Sequence, residues 1–203
     1  MAEQEKRENK QVTKKTPSAE KWKKKKWFKI HASEEFDKKV IGETPAEKPK
    51  LLENRKTRIS LRDLTNDSQK RHIEVVFSVK NVEGQEAYTK ITGHQINPSY
   101  INRLVRRRNS KMETTQLVST KDNKKIKIKA VTISGKKLAA KQETAIRNTM
   151  IEVIEKAVKK KPCSQIVQEI IFGVLAAKVF KDVKKIAQLK RVEITKSQII
   201  EGM

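Results

Sequence analysis

A formal net charge of +24 spread over 203 residues limits what this chain can become. Compaction brings like charges together, and their repulsion opposes folding unless a polyanion neutralises them. Nucleic acid is the favoured polyanion, because each phosphate contacted releases a condensed counterion. A membrane surface ranks second, and a merely soluble basic protein third. Hydrophobic residues make up 35% of the chain. That is enough for one modest core with tails. The longest apolar run, Ile170 to Ala177, falls far short of the roughly 20 residues of a membrane helix. It predicts a buried helix, and no membrane partner is expected. Cys163 has no second cysteine to pair with, and MAEQEKRENK lacks an apolar stretch. Both favour a reducing, cytoplasmic compartment.

Residues 1–25 are polar and lysine-rich and predict a flexible basic arm that stays disordered until a partner orders it. Residues 26–195 predict a single β-rich RNA-binding domain, and residues 196–203 a short tail. Trp27 to His31 alternates as a half-buried strand does, with Trp27 at least partly in the core. Val40-Ile41-Gly42 follows, then a loop through Pro45 and Pro49. Alternation returns at Thr57, Ile59 and Leu61, with a turn at Leu64 to Asp67. It recurs at Ile73, Val75, Phe77 and Val79, before a loop at Asn81 to Gln85 and a return strand over Ala87 to Ile91. A second hairpin joins Thr114–Thr120 to Lys125–Ser134, with a shift in phase at Ala130. Asn97-Pro98 opens a short helix. Helices of about 137–160 and 164–181 follow, then a strand of about 185–194. The fold class is therefore α+β, with about three helices flanking a β core.

Enzyme signatures are absent: there is no GxxxxGK[ST], GxGxxG or HExxH. His31, His72 and His94 lack second ligands at metal spacing and are expected to be surface or strand residues. Cys163 opens a helix near lysines, a setting that can lower a thiol pKa. No partner base can be argued, so a structural cysteine is expected. No catalytic residue, metal or cofactor is expected.

The basic clusters are the positive signal. Lys21, Lys23, Lys24, Lys25 and Lys26 surround Trp22 and lead into Trp27, joining phosphate-binding cations to a stacking surface. A solvated lysine run is the alternative. Arg103, Arg106 and Arg107 fall on one face of the short helix at 100° per residue, and Arg108 follows. Arginine forks bind phosphate bidentately, although basic residues also suit a helix C-terminus. Lys136, Lys137, Lys159, Lys160, Lys161, Lys184 and Lys185 are further RNA candidates at element ends. No RNP-type aromatic motif or GxxG clamp is present, so binding by shape and phosphate is expected.

Several segments, in order, resemble one family. Lys26-Trp27-Phe28-Lys29-Ile30, then Phe36 and Ile41-Gly42-Glu43-Thr44, are similar to its opening. Ser60-Leu61-Arg62-Asp63-Leu64-Thr65-Asn66-Asp67 matches its Ser-Leu-x-Asp-Leu-x-Asn-Asp element. Leu104-Val105-Arg106-Arg107-Arg108 and Lys184-Lys185-Ile186 with Leu189-Lys190 resemble its basic helix end and last strand. The chain thus resembles the e-type small-subunit ribosomal proteins of archaea and eukaryotes, "S three A-e", over roughly residues 26–194. Asn54-Arg55-Lys56-Thr57-Arg58 departs from the Gly-Arg-Val and Glu that usually precede the family's Ser-Leu element. The short end beyond the last strand favours an archaeal-type member.

The resemblance implies an antiparallel, barrel-like β core. It implies a ribosome-bound protein on the small-subunit platform near the mRNA exit. Its partners would be small-subunit rRNA, neighbouring ribosomal proteins and mRNA near that exit, with no small-molecule substrate. A free RNA chaperone or ribosome-associated translation factor is the alternative.

Overall fold

The computed structural model describes residue 22 and residues 24–200. The expected flexible arm over 1–25 thus lies almost wholly outside the described residues. Strands β1 (Lys26–His31) and β2 (Val40–Ala46) form an antiparallel pair. Strands β3 (Lys56–Ser60), β4 (Ile73–Glu83) and β5 (Glu86–Ile96) form a meander. Strands β6 (Lys111–Ser119) and β7 (Lys125–Ser134) form a hairpin, and β8 (Leu189–Ile200) bridges β7 to the far half of β5. β1 lies parallel to the first residues of β5, so the sheet is mixed. The described residues form five α-helices: α1 (Leu61–Thr65), α2 (Pro98–Leu104), α3 (Ala140–Lys159), α4 (Cys163–Ile171) and α5 (Val174–Val183).

The α+β class agrees with the sequence, but the barrel-like closure does not. β3 and β6 remain edges of an open sheet. Helices α3 to α5 cover one face with apolar side chains, so the sheet needs no self-closure to bury that face. The core joins Phe77 of β4, Met112 of β6, Ile126 and Ile128 of β7 and Ile194 of β8 to Ile146, Met150 and Ile154 of α3 and Ile166 of α4. Each such side chain contributes about 1.5–3 kcal/mol by leaving water.

Five helices replace the expected three for two local reasons. The expected 164–181 helix breaks at Phe172-Gly173 into α4 and α5, which meet at 74°. Gly173 sits at φ 81, a left-handed conformation that ends one helix and starts another. The stretch after Ser60, expected as strand and turn, closes into α1. There the Arg62 N–H donates to Ser60 Oγ, and Asn66 at φ 57 caps the other end.

Other strand expectations shift in phase or length. Trp27 is 59% exposed, against the expected partial burial. Phe28 and Ile30 hold the buried phase, which sends Trp27 outward. Phe28 instead packs with Leu52, Val79 and Ala87 in a second cluster. β2 runs on through Pro45, which an edge strand tolerates. β8 reaches Ile200, beyond the expected end at Ile194. β7 does not shift at Ala130 against β6. The irregularity lies on β8, where Thr195 is skipped between Lys129↔Lys196 and Ala130↔Ile194. β7 is apolar on both faces there because α2 covers the second one. Val131 and Ile133 pack with Ile96 and Ile101, while Thr132 Oγ1 donates to Met150 Sδ on the helical side (3.1 Å).

Candidate nucleic-acid interface

The basic residues singled out by sequence fall in three places. The first is the sheet end where β6 begins and β7 finishes, and two serines build it. The Ser110 N–H donates to Ser134 Oγ (2.8 Å), the Ser134 N–H to the Ser110 carbonyl (3.0 Å), and the Leu138 N–H to Ser110 Oγ (3.1 Å). These bonds hold the Arg106–Asn109 turn beside the Gly135–Lys137 loop. The Gly135 N–H donates to the Gln188 carbonyl (3.1 Å), and Ser134 pairs with Leu189. The α5–β8 connection, with Lys184 and Lys185, therefore comes to the same end. Arg106, Arg107, Arg108, Lys136, Lys137 and Lys184 are exposed there. None of these six has a carboxylate within ion-pair distance among the described residues, whereas Lys185 pairs with Asp182 (3.1 Å).

Lys190 belongs to this end too, exposed between buried Leu189 and Val192. Sequence reasoning did not single it out as a contact. Alternation does not mark it: Lys190 is skipped between Ile133↔Arg191 and Ser134↔Leu189, and this irregularity leaves it and Arg191 both exposed.

The arginines are arranged differently from the expected helical face. α2 ends at Leu104 and Val105 turns extended (φ −77°, ψ 121°), packing on the Ile96–Ile101 cluster. That packing draws the chain out of the helix. Arg103 alone projects from α2, while Arg106 to Arg108 leave from a turn closed by the Asn109 N–H on the Arg106 carbonyl, with Arg108 at φ 68. α2 itself is well seated. Asn97 Oδ1 accepts from the Ser99 N–H (2.9 Å), and Tyr100 stacks on His72 at 3.9 Å between centroids.

The second place is the opposite end of the β6–β7 hairpin. α3 has 20 residues, and that length carries the chain about 30 Å away. The Lys121 N–H donates to the Lys161 carbonyl there (3.3 Å). Lys159 pairs with Glu155 (2.6 Å), and Lys161 pairs with Glu169, which also takes Lys178 (3.2 Å). Of the candidates Lys159, Lys160 and Lys161, two are therefore already neutralised within the fold, and Lys160 is exposed with no carboxylate partner among the described residues. The third place is the entry to β1. Trp22 is exposed with Lys25 Nζ 3.9 Å from its ring centroid, and Lys24 and Lys26 are exposed. Lys21 and Lys23 lie outside the described residues.

The groups weighed for catalysis are tied into structure. His94 is buried on β5: its Nε2–H donates to the Ile194 carbonyl (2.8 Å) and its Nδ1 accepts from Ser197 Oγ (2.6 Å). Burial drives its pKa down to about 4. Burial pushes the Cys163 thiol up rather than down. Its backbone N–H donates to Asp122 Oδ2 (2.8 Å), so the β6–β7 turn caps α4. No group of three or more metal-binding side chains occurs among the described residues, and none of their helices alone is long and apolar enough to cross a membrane.

Fold and site together define the class: an electropositive two-layer α+β domain with six carboxylate-free cations gathered at one sheet end. Comparison with known proteins then identifies the family. The model of the Ribosomal S3Ae family matches residues 13–202, and the chain belongs to that family. It is 38% identical to the small ribosomal subunit protein eS1 of Methanococcus maripaludis, over 89% of this chain and 80% of the relative. It is 33% identical to that of Methanobrevibacter smithii over 88% and 93%, and 34% identical to that of Haloarcula marismortui over 86% and 82%. These relatives are archaeal, in line with the archaeal-type member expected. The family is one of structural ribosomal components, so the chain is not an enzyme.

Proposed function

We propose that this chain is a structural constituent of the small ribosomal subunit that binds rRNA. The observation that carries this is the sheet end with six exposed, carboxylate-free cations on three converging segments, Arg106–Arg108, Lys136–Lys137 and Lys184. Convergent cations neutralise several phosphates of one folded RNA at once, and arginine forks add bidentate geometry. Family membership narrows the polyanion to ribosomal RNA, with ribosomal proteins as neighbours. The family resemblance further supports a position on the platform near the mRNA exit, and a ribosome-bound, cytoplasmic location follows. Sucrose-gradient sedimentation after a high-salt wash is the test. A constituent stays with the small subunit, whereas release into the top fractions would identify a free RNA chaperone or translation factor instead.

A further inference from the structure

Helices α3 to α5 cover one face of the sheet, and α2 covers only one end of the other. The rest of that second face is open. Residues opposite one another in register share a face. Lys127 lies opposite Gln198, Gln198 opposite Gly93, Gly93 opposite Val76, and Val76 opposite Arg58. Lys127 and Arg58 therefore look the same way across four strand spacings, about 19 Å. Lys125 and Lys129 flank Lys127 at alternate positions, roughly 6.7 Å apart along β7. Lys196 lies opposite Lys129, and Lys56 is two residues before Arg58.

Two observations separate this face from an ordinary solvated one. On the helical layer four of the six cations of α3 to α5 have carboxylate partners: Arg147 with Glu143 (3.2 Å), Lys156 with Glu152 (3.6 Å), Lys159 with Glu155 (2.6 Å) and Lys178 with Glu169 (3.2 Å). Of the six cations just named on the open face, only Lys129 does, with Glu113 (2.7 Å). The other five have none among the described residues. Lys129 and Lys196 also stand directly opposite; Glu113 already answers Lys129, so Lys196 is the member of the pair left for an outside anion. The middle of the face is low. A Cβ on Gly93 would lie 2.1 Å from the Ser197 carbonyl oxygen, so only glycine fits. The depression beside it, about 130 Å³, is lined by Lys56, Arg58 and Lys196.

β3, β6, β7 and β8 contain no aromatic residue, Phe77 of β4 is buried in the core and Tyr88 of β5 stacks on His31, so the face around these cations offers no free platform for unstacked bases. Lysines in a row act as point charges on phosphates. Resting on the RNA-binding reading above, we propose that the open face, centred on Lys127, Lys196 and Arg58, docks the sugar-phosphate backbone of an RNA double helix, as a surface distinct from the arginine turn.

The test titrates the full chain with a blunt RNA duplex and, separately, one of its single strands, across a salt series. The triple variant Lys125→Gln, Lys127→Gln, Lys196→Gln is compared with Arg106→Gln, Arg107→Gln, Arg108→Gln, with thermal melts to show that both fold. The sheet-face triple should weaken duplex binding and flatten its salt slope by about one per lysine removed, with a smaller loss for the single strand. A wild-type duplex slope in that variant, with a reduced slope in the arginine variant, overturns this inference and leaves the proposed function standing. A loss confined to the single strand overturns the duplex assignment. A wild-type chain that binds neither RNA overturns the proposed function as well.

Discussion

Gly93 and His94 are neighbours on β5 that do opposite things. Gly93 lets β8 approach, and His94 fastens it. A methyl at Gly93 collides with backbone, not with a yielding side-chain tip, so Gly93→Ala must part the short β5–β8 ladder of Gly93 to Gln95. A loss of about 2 kcal/mol or more is expected from such overpacking, read as a lowered urea midpoint. His94 must stay neutral, because Nδ1 accepts from Ser197 while Nε2–H serves the Ile194 carbonyl. Its folded pKa, about 4, lies below the ordinary 6.5. The unfolded chain therefore binds the proton more readily between those values. The contribution is complete above pH 6.5 and drains away as pH falls toward 4. Between pH 7 and 5 unfolding should become easier by on the order of 2 kcal/mol. His94→Gln should flatten that dependence in paired melts at the two pH values, leaving a smaller slope from His72, which burial also lowers. An unchanged slope would show that His94 is not the titrating group. Neither role was visible in the chain. An isolated Gly-His reads as turn and strand, and only the β8 backbone gives it meaning. Trp27 was misread for a different reason: its bulk suggested burial, although Phe28-Lys29-Ile30 already carries the phase that turns it outward.

Elements with strong periodicity were legible because one buried face dictates their spacing. α3 shows this with Ile146, Met150 and Ile154, as do β4 and β6–β7. The α4–α5 break was not, because the apolar run continues straight through Phe172 and Gly173, and hydrophobic pattern carries no record of backbone handedness. Nor was closure. Strand pattern reports which residues face a core, not whether helices or other strands cover it. The cap on α4 is a similar long-range matter, 41 residues separating Asp122 from Cys163. Its α4 lacks a side-chain cap of its own because Pro162 precedes it. Asp122→Ala should therefore cost about 1 kcal/mol, the usual loss for an N-cap, and Asp122→Asn much less. Equal melting temperatures for Asp122→Ala and wild type would mean that solvent replaces the carboxylate at no cost.

At the scale of the whole molecule, the +24 charge resolves into two unlike layers. Four of the six lysines and arginines on α3 to α5 are matched with glutamates, three of them at i,i+4, while the arginine end and most of the open sheet face are not. The sequence showed the amount of charge and several of its clusters. It could not show that Arg106, Lys136 and Lys184 meet while Lys159 lies at the other end of α3, since that depends on where strands end. The imbalance predicts two opposite responses to salt. In the isolated protein, the unmatched cations repel one another, and a Debye length of about 10 Å at 0.1 M screens that repulsion. The exposed helical pairs weaken as well, but each is worth only about 0–1 kcal/mol. Net stability should therefore rise with salt, and each kcal/mol gained lifts the melting temperature by about 2–4 °C for a chain of this size. With RNA present the order reverses: bound RNA stabilises the folded state at low salt, and counterion competition removes that gain as salt rises. Melting curves across one salt series, with and without RNA, should converge from opposite sides. A protein whose melting temperature falls with salt in the absence of RNA would not be carrying its excess charge as self-repulsion, and the case for a neutralising polyanion would lose its thermodynamic basis.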